Sequence, residues 1–245
     1  MLQGKKIIDS TQTIESSAFS FIGCFPGSPY RTEALFKEQT TMDTRENDET
    51  GFRKCIFQLA CDVGTHIDAP SHWFIKGRDI SELSVEELTA PGVVIDVTEK
   101  VQENACYTLT VQDLKDWEAK YGKIPSKSFV CMKTGWSERF HDHKLYMGLD
   151  DDNKMHYPGF SEELATYLIS ECDIVGIGID TASLDAAESG KPRYPVHNIV
   201  LGADKYQIEN MVLTGVPESD VTFISLPIKV KNAPECEARV IAVVH

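Results

Sequence analysis

Two histidines and two aspartates fall within the eleven residues Asp62-Val63-Gly64-Thr65-His66-Ile67-Asp68-Ala69-Pro70-Ser71-His72, in a chain with seven histidines in all. Imidazole nitrogen beside carboxylate oxygen is the donor mix of Zn and Mn sites. Pro70 and Gly64 disfavour a helix here, and on a helix His66 and Asp68 would point to nearly opposite sides. In an extended chain positions 66 and 68 share a face, Asp62 joins them across the flexible Gly64, and Pro70 turns His72 back toward the same space. Burying so many charged and polar groups together is costly without a compensating cation, so the stretch reads as a ligand set.

One short segment rarely completes such a site, and two downstream donors stand out. His197, in Tyr194-Pro195-Val196-His197-Asn198, would follow a Pro-restricted turn. Glu209, in Gln207-Ile208-Glu209-Asn210, would lie on or near a helix after Gly202. A lone histidine near a strand end is more often a hydrogen-bonded structural residue, which is the bland alternative for His197.

The elements that must position these groups are short. Apolar, β-branched runs of strand length occur at Lys6–Ile14, Cys55–Ala60, Gly92–Val97, Ser128–Thr134, Ile174–Asp180, Val221–Val230 and Arg239–Val244, and several lack polar alternation, which predicts burial on both faces. Thr110–Tyr121 reads as a helix with Thr110 as N-cap, Asp113 at the third helical position and Gly122 as its stop; Ser161–Glu171 and Asp204–Leu213 read as helices too. The polar tract Thr40–Gly51 and the His- and Asp-rich His141–Pro158 read as exposed loops. Strands outnumber the helices between them, so the expected fold is a mixed α/β sheet with helices packed around it, not an alternating parallel barrel.

A chain of 245 residues without repeats or a marked linker is expected to form a single domain, residues 1–245. With 24 basic against 38 acidic side chains the net charge is −14, so no nucleic-acid partner is expected, because phosphate backbones require clustered Lys and Arg. No apolar run approaches the roughly 20 residues that span a bilayer, and the start lacks a signal-peptide core, so no membrane partner and a cytoplasmic location are expected. The seven cysteines (24, 55, 61, 106, 131, 172, 236) are scattered without a C-x-x-C pair and read as reduced, mostly buried thiols, Cys61 among them.

Other motifs carry less. His141-Asp142-His143 with Asp150-Asp151-Asp152 and His156 could form a second metal cluster, but acidic runs are usually solvated. Gly176-Ile177-Gly178 has Thr181 where a dinucleotide fingerprint needs a third glycine, and backbone packing accounts for it. Gly135-Trp136-Ser137-Glu138 is not a G-x-S-x-G elbow; Trp136 is expected instead to wall a pocket and touch substrate.

The stretch Gly64–His72 resembles the signature of the cyclase family, metal-dependent hydrolases that include kynurenine formamidases and isatin hydrolases. The resemblance extends, in the family's order, through Ile7-Ile8-Asp9-Ser10, Phe25-Pro26-Gly27-Ser28-Pro29, Gly92-Val93-Val94-Ile95-Asp96-Val97, Lys133-Thr134-Gly135-Trp136-Ser137, Gly176-Ile177-Gly178-Ile179-Asp180-Thr181, and the pair His197 and Glu209. It implies a swivelling β/β/α domain, assembled as a homodimer or homotetramer, with one or two divalent ions, Zn or Mn, per subunit. His66 and Asp68 match metal ligands, Asp68 as a bridge in two-metal members; His197 and Glu209 match the distant ligands, His72 the proton donor and acceptor. Asp62, read above as part of the ligand set, stands where the family usually has His, and Phe25 where kynurenine formamidases tend to carry a substrate-contacting Trp.

A divalent metal lowers the pKa of water toward about 7 and polarises a carbonyl, and a free imidazole such as His72 adds roughly 10²–10⁴-fold by moving protons. The resemblance therefore implies hydrolysis of a small-molecule aryl formamide, kynurenine formamidase-like, or of a cyclic amide, isatin-hydrolase-like. The contrasting expectation is a non-catalytic binding protein whose metal centre Asp62 has spoiled.

Overall fold

The computed structural model describes residues 4–15, 18, 36–44, 51–187 and 194–245. Its strands are β1 (Lys6–Asp9), β2 (Phe36–Asp43), β3 (Arg53–Leu59), β4 (His66–Asp68), β5 (Thr89–Asp96), β6 (Thr108–Leu109), β7 (Ser128–Lys133), β8 (Gly159–Phe160), β9 (Ile174–Ile179), β10 (Tyr206–Glu209), β11 (Val221–Pro227) and β12 (Glu235–Val244). The helices are α1 (Thr98–Glu103), α2 (Val111–Tyr121), α3 (His143–Tyr146), α4 (Glu162–Glu171) and α5 (Pro195–Gly202).

Eight strands form one mixed sheet in the order β1-β12-β11-β5-β7-β9-β10-β4, and β12 also pairs β4. That extra pairing closes seven strands into a barrel-like ring, with β1 added outside along β12. The ring follows from the length of β12: residues 238–244 pair β11, and the first three, 235–237, reach β4. All seven strands send apolar side chains inward, among them Ile67, Val94, Phe129, Val175, Ile208, Phe223 and Cys236. Phe129 stacks on Tyr206 at 5.5 Å between centroids and meets Phe223 edge-on at 5.6 Å. Each such side chain contributes about 1.5–3 kcal/mol by leaving water.

The alternate residues of β5, β7 and β9 (Val93, Val130, Ile177 and their neighbours) face a second core covered by α2, α4 and α5. Gly176 and Gly178 face the ring's core and do not form a cofactor loop: a Cβ on Gly176 would meet the Tyr206 carbonyl at 2.4 Å, and one on Gly178 the Phe129 ring at 2.6 Å. Thr110 caps α2 by accepting from the Asp113 amide, with Asp113 returning the bond to the Thr110 amide, and Ser161 caps α4.

Four expectations change. Asp204–Leu213 is not a helix; it contains the strand β10, whose four residues are all buried. Tyr206 and Ile208 enter the ring's core while Gln207 and Glu209 point away from it, a period of two that a helix cannot satisfy, and Asn210, at φ 56°, ends the strand. The run Cys55–Ala60 is not buried: β2 and β3 form a separate two-stranded ribbon in which Ile56 and Phe57 are more than half exposed, and β2 takes up part of the tract expected as a loop. The stretch 141–158 holds α3, with Tyr146, Met147 and Tyr157 buried, so it is partly core.

Candidate metal centre

The site is written into strand register. β4 lies between β10 and β12, so His66 faces Glu209 on one side and Glu237 on the other, and Asp68 faces Gln207 and Glu235. Because Ile67, Ile208 and Cys236 go into the ring's core, their alternate neighbours all emerge on the opposite face. Gly64, at φ 72°, turns the chain into β4 and offers its carbonyl to His66 Nδ1 at 2.9 Å. Gln207 Nε2 donates to Asp68 Oδ2 at 2.9 Å.

His197 arrives from a different element. It sits in the first turn of α5, where Pro195 takes the position that needs no amide donor. Tyr194 gives that helix no side-chain cap; Asp185 supplies it from elsewhere, accepting from the amides of Val196 (2.9 Å) and His197 (3.2 Å). The same carboxylate takes His197 Nδ1–H at 2.6 Å, so Nε2 turns inward, 3.3 Å from Glu209 Oε1 and 3.7 Å from Asp68 Oδ2. His66 Nε2 approaches the same carboxylates, at 3.5 Å from Asp68 Oδ1 and 3.6 Å from Glu209 Oε2. His72 ends the three-residue 3₁₀ turn begun by Pro70, and its Nδ1 is held by Glu235.

These groups floor a cavity of about 360 Å³, a size suited to a small ligand. Asp62, Cys61 and Ser183 also line it, with Trp73 and Tyr194 as aromatic walls whose centroids are 5.6 Å apart. Burial alone would lower the pKa of His66, but Asp68, Glu209, Glu235 and Asp62 outweigh it and raise it to about 9. His197 is pushed up to about 10, burial again opposing and Asp185 and Glu209 prevailing. His72 is raised as well, its bond to Glu235 overcoming burial.

The donor set fits a divalent cation. Asp68 Oδ1 is buried without a hydrogen-bond donor, a costly state that a cation would relieve. Donor atoms of His66, Asp68 and Glu235 lie within 4.8 Å of one another, as do those of Asp68, His72 and His197. Among the described residues, no other group of histidine, cysteine and carboxylate side chains has this spacing; His156 bonds Asp150 and does not reach the cavity.

The Cyclase family model matches residues 8–186. The chain belongs to the cyclase family. It is 32% identical to the isatin hydrolase of Roseibium aggregatum over 74% of this chain and 71% of that protein. It is 27% identical to the kynurenine formamidase of Paracidovorax citrulli over 73% and 74%. Isatin hydrolase A from Ralstonia solanacearum superposes with a TM-score of 0.88 at 28% identity, covering 98% of this chain and 92% of that one. The named relatives mark this cyclase as an enzyme, a hydrolase.

Of the cyclase residues singled out in the sequence, Asp62, His66, Asp68, His72, His197 and Glu209 meet at one cavity. Phe25 lies outside the described residues. Trp136 does not wall the pocket: it is 1% exposed in the helix-side core, under the Arg139 guanidinium, and Trp73 stands in the wall instead. Trp136 nevertheless supports the site from behind, since its Nε1 donates to the Tyr146 carbonyl, Tyr146 OH to Asn210, and Asn210 Nδ2 to the Gly64 carbonyl beside His66. Cys61 is not a buried thiol but an exposed one on the cavity rim. Glu209 lies on a strand and not on or near a helix as expected, while His197 does follow the turn at Pro195, in the first turn of α5.

Asp185 and Glu235 were missed. Glu235 had a signal in the alternation Glu235-x-Glu237 against the apolar Cys236, Ala238 and Val240. Asp185 had none, because a carboxylate capping a helix from another segment leaves no local pattern.

Proposed function

We propose that this cyclase hydrolyses a small aryl amide, with an isatin-like lactam ahead of an open-chain aryl formamide. The observation that carries the reading is the convergence of His66, Asp68, His197 and Glu209 at the floor of a cavity walled by Trp73 and Tyr194. Two flat rings suit a planar aryl substrate. The relatives add the choice of amide: among those named, the isatin hydrolase is the more similar in sequence, and one isatin hydrolase structure of the same fold holds the product analogue thioisatinate.

His66, Asp68, His197 and Glu209 would hold the metal, with Asp62 alongside. A bound divalent ion supplies Lewis acidity toward the carbonyl and activates water at neutral pH. The chain's own residues do the rest. Trp73 and Tyr194 orient the aryl plane and exclude water from one side. His72, held at Nδ1, has Nε2 left to take the proton of the attacking water and return it to the departing nitrogen as the C–N bond breaks. We assign Mn or Zn, one or two ions per chain, because the donors combine imidazoles with several carboxylates.

The same proposal extends to assembly and location. An isolated two-stranded ribbon is marginally stable in water, and the exposed Met42, Phe52, Ile56 and Phe57 of the β2–β3 ribbon suit cover by a second copy in a homodimer or homotetramer. Free thiols suit the reducing cytoplasm.

The test is hydrolysis of isatin and of an N-formyl aryl amine before and after chelation. Activity should vanish with the metal and return on adding Mn or Zn; hydrolysis that survives metal-depleted dialysis overturns the reading. Asp62→His is expected to change metal preference or stoichiometry, read by elemental analysis.

A further inference from the structure

In the reading above Glu235 touches His72 but is given neither a ligand's role nor a proton to move. Glu235 opens β12, faces Asp68 across the β4–β12 ladder, and its side chain is only 13% exposed. Its two oxygens are both engaged: Oε1 by His72 Nδ1, Oε2 by the Cys61 thiol at 3.4 Å. Glu235 also stands at ligand spacing from His66 and Asp68, so the position admits two roles, holding a cation or holding an imidazole.

The geometry points to the second. We propose that Glu235 is the positioning residue of His72, fixing its tautomer and ring orientation for proton transfer; this rests on the hydrolase reading. The site repeats one device three times. His66 Nδ1 is tied to the Gly64 carbonyl, His197 Nδ1 to Asp185, and His72 Nδ1 to Glu235. An acceptor at Nδ1 requires the hydrogen there and leaves the Nε2 lone pair available. His66 and His197 are also locked by burial, but His72 is at the rim with its side chain 27% exposed, on a turn of three residues. Its ring neighbours, Trp73 and His197, stand 5.9 and 6.1 Å away between centroids and give no polar restraint. Glu235 is thus what aims this ring.

In the reaction, water oxygen bonds to the carbonyl carbon while its proton passes to His72 Nε2. That proton then leaves Nε2 for the departing nitrogen as the C–N bond breaks, giving amine and a carboxylic acid, whose remaining proton is lost to solvent. Glu235 gains and loses no proton; it balances the imidazolium between the two transfers.

Long-range ¹H–¹⁵N spectra of histidine-labelled, metal-free protein, recorded at a pH where the ring is neutral, read the tautomer directly. His72 should carry its hydrogen on Nδ1 in the parent protein, shift toward Nε2–H in Glu235→Leu, and stay largely Nδ1–H in Glu235→Gln, whose amide oxygen still accepts. In the loaded enzyme Glu235→Leu should lower kcat about 10²-fold with KM held, within the range that proton-transfer catalysis supplies, while Glu235→Gln recovers part of it and both keep the parent's metal content. Loss of stoichiometric metal in the near-isosteric Glu235→Gln would make Glu235 a ligand and overturn the proposal, and so would an unchanged His72 tautomer in Glu235→Leu. Should the parent hydrolyse no aryl amide, the tautomer still decides the role of Glu235, so the two failures are separable.

Discussion

The two halves of the metal centre are built by opposite means. The near half, Asp62 to His72, is local: three donors and a proton-transfer group follow one another along a turn, a three-residue strand and a 3₁₀ turn. The far half is assembled from remote pieces, Glu209 from β10 and His197 from α5, with Asp185 brought in both to cap α5 and to aim His197. In the local half backbone geometry sets the order of the groups, and Gln207 and Glu235 only finish the aim of Asp68 and His72. In the remote half the placement of His197 itself depends on Asp185, so substitutions away from the ligands should act there on metal affinity, whereas at Glu235 they act on proton transfer.

The largest expected effect tests whether the halves share one ion. His66→Ala and His197→Ala should each abolish hydrolysis and each strip the metal to well below stoichiometry, measured by elemental analysis of the purified variants. If His197→Ala retained the full metal content, the far half would not hold the ion, and the comparison would fail at its root.

The sequence was legible where the chemistry is local. The spacing of His66 and Asp68 announced a shared face, Pro70 announced the turn that returns His72, and Thr110 with Asp113 announced the start of α2. It was illegible where long-range pairing decides. Tyr206–Glu209 is four residues long with two polar members, too short for periodicity to separate strand from helix, and only its place between β9 and β4 makes it a strand. Glu235 reaches Asp68 because β12 runs three residues past its pairing with β11, a fact about ring closure and not about the segment itself. The apolar run in β3 misled in the other direction, since hydrophobicity alone does not say what covers it.

A middle-sized effect separates aiming from ligation. Asp185→Asn keeps the side chain's shape but weakens both of its tasks. Partners that aim a ligating imidazole in this way are worth about 10–100-fold in metal affinity, while the amide oxygen still accepts from α5, so stability should fall by less than the roughly 1 kcal/mol of a lost cap. Competition with a chelator reads the first and denaturant unfolding of the metal-free protein reads the second. The near half offers the contrast: His66 Nδ1 is held by a backbone carbonyl that no substitution removes. An affinity unchanged in Asp185→Asn would show that α5 alone places His197.

The smallest effect is graded with pH and involves both halves at once. In the metal-free protein carboxylates raise His66 to about 9 and His197 to about 10, so at neutral pH both rings carry protons where a cation would otherwise bind. Their folded pKa values exceed the unfolded value near 6.5, so the stability they add is fully present below pH 6.5 and lost as pH rises through about 9 and 10. The loaded protein has displaced those protons and should lack this dependence. Metal uptake at pH 7 should therefore release about two protons, seen as a binding heat that varies with the ionisation enthalpy of the buffer. Stability of the metal-free protein should fall between pH 7 and 10 while that of the loaded protein stays level. Release of only one proton would mean that a single half is charged when empty, and the ¹⁵N shifts of His66 and His197 in the metal-free protein at pH 7 would show which: the charged half is the one whose ring carries hydrogen on both nitrogens.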